Sequence, residues 1–335
     1  MAEYSKDHLT FEEQVERLAA RGLSVGDRDK ATSDLAMIGY YRFSAYTHPF
    51  RVPMRPSIQG HDQRHSKFLD GADFETALQI WDFDRKLRLI LLDGLERFEI
   101  ALRTAVSYEL GRRSRFGHLE LEHLDPAFVS QPPIESRDRM SKHDYWLVGY
   151  YERQAAASDE AFVSWFDYRY NGKLPVWVAV EILQWGQLSQ LFSGLVLADR
   201  EVVARRFGVA SSKQFKSWIA SMNDVRNYCA HHARLWNRSL VKQASRPKRG
   251  TVPKLDHLQD LDKTQLARVY PTIAILVWMF TEVMPFEGWV DRLKSLLKSF
   301  PGNDFVSLSN AGFPEPWEHL DLWKGDATQA ASATQ

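Results

Sequence analysis

The amino-acid sequence predicts an all-α protein, a bundle of helices. Gly (18) and Pro (14) together make up about a tenth of the 335 residues, so residues that interrupt helices are sparse. Apolar residues three or four positions apart recur over long stretches and mark one face of a helix, as in Leu87, Leu91, Leu95, Phe98, Leu102 and Val106. The alternation of apolar and polar residues that is typical of strands is scarce.

The N-terminal elements follow from capping residues and composition. Thr10 and Glu13 have the spacing of a capping box, which predicts a short helix over residues 10–20. Residues 39–52 are rich in aromatic side chains and are interrupted by Pro49, so we expect a short strand or a packed loop there. Residues 52–66, 124–139 and 246–253 contain turn-forming residues and are expected to be loops.

Three longer helical patterns follow along the chain. Residues 74–110 predict one or two long helices, with Glu and Arg filling the outer face. Residues 177–195 predict another helix, bent at Gly186, and Pro175 suits its first turn. Residues 266–284 predict a third, which Pro285 would stop.

These patterns suggest two helical halves separated by a polar region. We expect a helical N-terminal domain over residues 1–125, an irregular linker over 126–160 and a helical C-terminal domain over 161–300. Residues 301–335 would form an extension, and its small, polar end from residue 325 onward is expected to fray.

Composition restricts the cellular setting and the chemistry. A single cysteine, Cys229, excludes an intramolecular disulfide and a cysteine-based zinc cluster, and it fits a reducing compartment. The N-terminal residues have no apolar stretch of signal-peptide type. The longest run without charge, residues 182–198, contains three Gln and two Ser, which is unsuitable for a membrane span. We therefore expect a cytoplasmic protein without a membrane partner.

The segment most informative about chemistry spans residues 224–239 and holds two adjacent histidines. If it forms one regular helix, the polar side chains share a face: Arg226, Asn227, His231, Arg234, Asn237 and Arg238. His232 then lies among the apolar side chains. The sequence thus predicts that His231 is available for chemistry, whereas His232 faces the core and satisfies a buried hydrogen bond.

The polar face combines groups that can act on a phosphodiester. An imidazole can transfer protons near neutral pH, and guanidinium groups bind phosphate oxygens. RNA carries its own nucleophile, the 2′-hydroxyl, so this chemistry requires neither a metal nor a cofactor. The alternative is a polar face on a surface helix, or hydrogen bonds that hold the bundle together.

The charge distribution supports an anionic partner. The chain has 43 basic and 43 acidic residues, a balance that at first argues against a nucleic-acid binder. Between residues 225 and 255, however, there are eight Lys or Arg and no Asp or Glu. Taking these eight from the 43 basic residues leaves 35 against 43 acidic ones, a net charge of −8 for the rest. We therefore expect RNA contacts from this segment, through Arg234, Arg238, Lys242, Arg246, Lys248 and Arg249.

Four blocks of sequence resemble one protein family. Segment 38–46 (Ile-Gly-Tyr-Tyr-Arg-Phe-Ser-Ala-Tyr) precedes Pro49-Phe-Arg51, and Phe83-Asp-Arg-Lys-Leu-Arg88 leads into Glu96 to Arg103. Pro175-Val-Trp177 with Glu181 and the segment from Arg226 to Arg238 follow. In this order the blocks, over roughly residues 10–300, resemble the Abi-like abortive-infection proteins of the AbiD/AbiF type. Arg226-Asn227-x3-His231 is similar to the motif of HEPN ribonucleases.

The resemblance implies a C-terminal HEPN-like domain and a role in anti-phage defence. It implies metal-independent endoribonuclease activity, with Arg226 and His231 catalytic and Asn227 orienting them, and products ending in a 2′,3′-cyclic phosphate. Since such sites pair two motifs and this chain shows one, a homodimer is the simplest source of the second. The alternative is a binding protein that holds a structured small non-coding RNA through the same basic face, without catalysis.

For three groups of residues the sequence allows both a functional and a structural role. Glu181 could position Arg226 or His231, or it could simply face solvent. Asp84, Arg88, Glu96, Glu99 and Arg103 could form a buried polar network, but ion pairs on a helix surface are commoner. The aromatic residues of block 38–46 could stack on RNA bases, but core packing is the commoner role.

Overall fold

A computed structural model describes residues 7–54, 64–132 and 140–324 of the chain. This part of the protein is mostly helical, which confirms the predicted all-α class. Its α-helices are α1 (Phe11–Ala19), α2 (Arg28–Ile38), α3 (Tyr40–Thr47), α4 (Phe74–Gly111), α5 (Pro126–Val129), α6 (Lys142–Ala156), α7 (Ala161–Tyr170), α8 (Val176–Ile182), α9 (Trp185–Gly194), α10 (Leu197–Arg206), α11 (Ser212–Ala230), α12 (Lys263–Leu266), α13 (Tyr270–Trp278) and α14 (Trp289–Lys298).

The N-terminal elements confirm one prediction and correct another. Helix α1 begins with the expected capping box, because Thr10 Oγ1 accepts from the Glu13 amide and the Glu13 carboxylate accepts from the Thr10 amide. The aromatic segment 39–52 is mainly helix α3 and only its end is a strand, β1 (Arg51–Pro53), which pairs antiparallel with β2 (Arg64–Phe68). The buried residues of α3, Phe43, Tyr46 and Thr47, follow helical spacing, which the aromatic composition had obscured.

Helix α4 is the central element of the bundle. It runs without interruption for 38 residues, about 57 Å. Asp73 caps its first turn by accepting a hydrogen bond from the Thr76 amide at 2.7 Å. Helices α3, α8, α9, α10, α11 and α14 all pack against it, so α4 contacts elements from both halves of the sequence. The division into domains at residues 125 and 160 stays a prediction.

The helix expected over residues 177–195 is two helices, and the break is not at Gly186. Helix α8 ends at Ile182 and α9 begins at Trp185. Arg103 of α4, which is ion-paired with Glu99, donates hydrogen bonds to the backbone oxygens of Val180 and Leu183. The Val180 oxygen also accepts from the Leu183 amide at 3.3 Å. A side chain of a distant helix therefore supplies hydrogen bonds at the break between α8 and α9.

The C-terminal part packs against the same core. Helix α13 begins at Tyr270, later than predicted, and continues into a single π-helical turn, Met279–Val283. Beyond α14, Phe313, Trp317 and Trp323 are buried together. The predicted fraying tail, from residue 325 onward, lies outside the described residues. Among the residues described, none of the helices combines the length and apolar character needed to cross a membrane.

Candidate functional site

The helix that carries the Arg226-Asn227-x3-His231 motif ends inside the motif segment. We expected one helix over residues 224–239, but α11 stops at Ala230 and His231 is its C-cap. The assignment of side chains to two helix faces is therefore wrong beyond residue 230. Arg226 and Asn227 remain on the last turns of α11, whereas Arg234 and Arg238 belong to the irregular segment that follows it, residues 231–240, here called the motif loop.

The end of α11 is a Schellman motif. The Ala233 amide donates to the Tyr228 oxygen at 2.9 Å and the His232 amide to the Cys229 oxygen at 3.1 Å. His232 takes the left-handed conformation, with φ of 54°, at the position where glycine is usual. Its side chain is exposed. The expectation that His232 faces the core is therefore wrong, because the turn points it outward.

A buried carboxylate on α4 holds the motif loop in place. Asp84 is fully buried, and it accepts hydrogen bonds from the backbone amides of Trp236 at 2.6 Å and Leu235 at 3.2 Å. The Tyr46 hydroxyl donates to the same carboxylate at 2.6 Å, and Arg88 forms an ion pair with it. Asp84 and Arg88 therefore form part of a buried polar network. They are not the surface ion pair that is commoner on helices. Burial beside this carboxylate raises the pKa of Tyr46.

Helix α3 and the motif loop are tied together by arginines from both sides. Arg42 donates to the His232 backbone oxygen at 3.0 Å, and Arg234 donates to the Ala45 backbone oxygen at 2.6 Å. Between them, Arg88 lies 3.4 Å from the Ala233 oxygen. Residues about 190 positions apart in the sequence are therefore joined by direct hydrogen bonds.

A groove of about 630 Å³ opens between α3 and the motif loop. Its lining contains four arginines, three histidines and no carboxylate. The lining residues are Tyr41, Arg42, Ser44, Ala45, His48, Arg51, His231, His232, Ala233, Arg234 and Arg238. Such a concave surface of one sign attracts anions, because the low-dielectric walls focus the field of the charges. Partial burial lowers the pKa of the Arg234 and Arg51 guanidinium groups.

The groove collects only part of the predicted site. His231, which is exposed, and Arg238 line it; the Arg238 guanidinium lies 4.6 Å from the centre of the Tyr228 ring. Arg226 and Asn227 do not line it. Arg226 is half-buried, with Nη1 3.5 Å from Asn227 Oδ1, and Asn227 is exposed. Of the predicted arginines, Arg234 and Arg238 therefore line the groove and Arg226 does not.

The chain that carries the remaining predicted RNA-contacting residues leads away from the groove. Asp224 accepts hydrogen bonds from the amides of Val241 and Lys242, and the Ser217 and Ser245 hydroxyls are 2.5 Å apart, so the chain returns along α11. Because positions 217 and 231 are separated by about 21 Å along a helix, the segment with Arg246, Lys248 and Arg249 lies far from His231.

Two basic residues of segment 225–255 form ion pairs with carboxylates outside the segment. Arg249 pairs with Asp260 at 2.5 Å and Lys254 with Glu282 at 2.5 Å. Lys242, Arg246 and Lys248 are exposed. The positive field of this region is therefore weaker than the count of eight basic residues indicates, whereas no carboxylate lines the groove.

The exposure of Glu181 and Cys229 indicates their roles. Glu181 is exposed on α8, which agrees with the solvent-facing interpretation. Cys229 is buried, and burial raises the pKa of its thiol to about 12, so it is not a nucleophile at neutral pH. Across the described ranges, no three His, Cys, Asp or Glu side chains are arranged to hold a metal ion.

The sequence did not single out the basic residues on the α3 side of the groove, and it gave the Asp84–Arg88 network only as the less common alternative. Arg42, His48 and Arg51 line the groove, and Asp84 with Arg88 anchors its floor. Four of these five residues lie in the N-terminal blocks that carry the family resemblance, and His48 lies between two of those blocks. The signal was therefore present in the order of those blocks, although nothing in their spacing showed that they meet the motif loop.

Comparison with known proteins identifies the family. The family model described as Abi-like protein matches residues 34–237, about three fifths of the chain. This range contains both α3 and the motif loop up to Asn237. Neither the curated proteins nor the solved structures give a significant match. The chain belongs to the family of Abi-like proteins.

Proposed function

We propose that this protein is a metal-independent endoribonuclease that acts in abortive infection. Membership of the Abi-like family points to abortive infection and defence against phage. The observation that carries the proposal is the groove, in which His231 is exposed beside four arginines and no carboxylate. A polyanion fits this surface, and an imidazole in contact with it can move protons.

The proposed reaction uses the substrate's own nucleophile. The 2′-oxygen attacks the adjacent phosphorus, the bond from phosphorus to the 5′-oxygen breaks, and a 2′,3′-cyclic phosphate and a 5′-hydroxyl result. His231 takes the proton from the 2′-hydroxyl or delivers one to the 5′-oxygen, and water makes the other proton transfer. Arg226 neutralises the charge that develops on the phosphate, Asn227 orients it, and Arg234 and Arg238 guide the strand.

A homodimer can bring Arg226 of one chain to His231 of the other. Arg226 does not line the groove of its own chain, which is consistent with a site completed by a second copy. Co-expression of Arg226→Ala and His231→Ala chains tests this arrangement. We expect each variant alone to be inactive and the mixed dimer to recover part of the activity, whereas a self-contained site would give no recovery.

Cleavage is tested with purified protein and single-stranded RNA in the presence of EDTA. We expect products with 2′,3′-cyclic phosphate ends from the wild type and none from His231→Ala. The control is His319→Ala, because His319 is exposed but does not line the groove. A requirement for added metal, or undiminished cleavage by His231→Ala, would contradict the mechanism.

A second function is favoured by the separation of Arg226 from the groove. In this alternative the protein holds a structured small non-coding RNA through the basic groove and does not cut it. RNA recovered with the purified protein distinguishes the two functions. A discrete RNA with intact ends supports binding alone, whereas cellular fragments with cyclic phosphate ends support the nuclease.

A further inference from the structure

We propose that Tyr41 of α3 is a base-stacking platform, so that the N-terminal block of the family forms the nucleotide-recognition half of the groove. This inference rests on the proposed RNA function. It assigns a role to a residue outside the Arg226-Asn227-x3-His231 motif, and it names the part of the ligand that the residue contacts: an unpaired base.

The structure separates the aromatic side chains of block 38–46 into two groups. Phe43 and Tyr46 are buried, at 0% and 1% exposure, whereas Tyr41 is 91% exposed. Tyr40 is half-buried, and its hydroxyl accepts a hydrogen bond from Arg21 at 3.2 Å. Contacts within the fold thus account for the other three aromatic residues and leave Tyr41 without a structural role. An exposed aromatic ring does not contribute the hydrophobic stabilisation that a buried one provides. It can stack on a nucleic-acid base, because every base has a flat aromatic face.

The surroundings of Tyr41 suit the rest of a nucleotide. Tyr41 lines the same groove as His231, Arg51 and Arg238. The guanidinium groups can contact the phosphates while the ring contacts a base, which is the combination that single-stranded nucleic-acid binders use. A duplex could not use it in this way, because its bases are already stacked on one another.

The helix that carries Tyr41 is tied to the segment that carries His231. The next residue, Arg42, donates to the His232 backbone oxygen, and Arg234 of the motif loop donates to the Ala45 oxygen. Helix α3 therefore cannot shift without the motif loop. A base can therefore stack on Tyr41 without a rearrangement of the backbone, which would reduce affinity.

Binding of a fluorescent single-stranded RNA oligonucleotide to His231→Ala protein tests the inference, since that background cannot cleave the probe by the proposed mechanism. We expect Tyr41→Ala to weaken binding about ten-fold, within the range of roughly 5- to 150-fold for loss of one stacked base. Tyr41→Phe should bind like the parent. The matched control is Tyr168→Ala, because Tyr168 is 88% exposed but lies on α7, outside the groove.

Two further measurements distinguish stacking from a general disturbance. With the same strand annealed to its complement, Tyr41→Ala should bind as well as its parent. In a salt titration, Tyr41→Ala should leave the slope of log affinity against log salt unchanged, whereas Arg238→Gln should reduce the slope by about one.

The outcomes separate this inference from the function on which it rests. If the His231→Ala protein binds no single-stranded RNA, both the proposed function and the inference are overturned. If it binds RNA and Tyr41→Ala matches Tyr168→Ala, the function stands and the stacking platform is overturned. An equal loss with single-stranded and duplex probes would likewise overturn it.

Discussion

Replacement of Asp84 by Asn tests whether one buried carboxylate holds the candidate site together. The side chain of Asp84 has no solvent exposure and its partner Arg88 has 7%. Two backbone amides of the motif loop and the Tyr46 hydroxyl donate to the same carboxylate. Asparagine keeps the shape but removes the charge, so Arg88 becomes a buried cation without a counter-ion.

The expected loss follows from the burial of these partners. Breaking one side of a buried ion pair costs about 3–5 kcal/mol, which is a large part of a typical stability of roughly 5–15 kcal/mol. The matched control is Asp82→Asn, two residues earlier on α4. Asp82 forms surface ion pairs with Arg85 at 3.0 Å and Lys86 at 2.7 Å, and loss of such pairs costs under about 1 kcal/mol.

Urea unfolding followed by tryptophan fluorescence measures both free energies of unfolding. Combining Asp84→Asn with Arg88→Met should cost less than the sum of the two single changes, because the double variant leaves no unpaired buried charge. Equal losses for Asp84→Asn and Asp82→Asn, or strict additivity with Arg88→Met, would refute the claim that a buried ion pair anchors the motif loop.

Three further predictions concern other parts of the fold. His232→Gly should be more stable than His232→Ala by about 1 kcal/mol in thermal unfolding, because residue 232 has φ of 54° and only glycine adopts it without strain. Burial lowers the pKa of His118 from 6.5 to about 3. Below pH 6.5 the unfolded chain therefore binds a proton that the folded chain does not. The free energy of unfolding should decrease by up to about 1.4 kcal/mol for each unit by which the pH falls. His118→Phe should flatten this slope in urea titrations, and the exposed-site change His319→Gln should not. Gly94→Ala should destabilise α4 by about 1–3 kcal/mol in the same assay, since a Cβ there would lie 2.8 Å from the Trp289 ring. Gly186→Ala, with no atom within 4 Å, should instead stabilise α9 by about 0.5–1 kcal/mol.

The sequence sufficed for the elements whose stability is local. The capping residues of α1 and the apolar stripe of α4 predict those helices, because capping and amphipathic spacing act within a few turns. The sequence also identified the histidine that is exposed in the groove. The predicted bend at Gly186 was wrong: the break lies between α8 and α9, where Arg103 of α4 donates hydrogen bonds to the Val180 and Leu183 oxygens. No residue near Gly186 indicates this contact with a distant helix.

The end of α11 is the clearest case of an element that distant residues determine. A continued helix would direct the amides of Leu235 and Trp236 to the carbonyls of residues 231 and 232, and neither Gly nor Pro interrupts residues 224–239. In the fold these amides bind Asp84 instead, and the His232 carbonyl accepts from Arg42. The sequence by itself determined the helical class, the family blocks and the chemistry of the motif. Only the tertiary structure decided that the blocks meet in one groove, because their contacts join residues more than 140 positions apart.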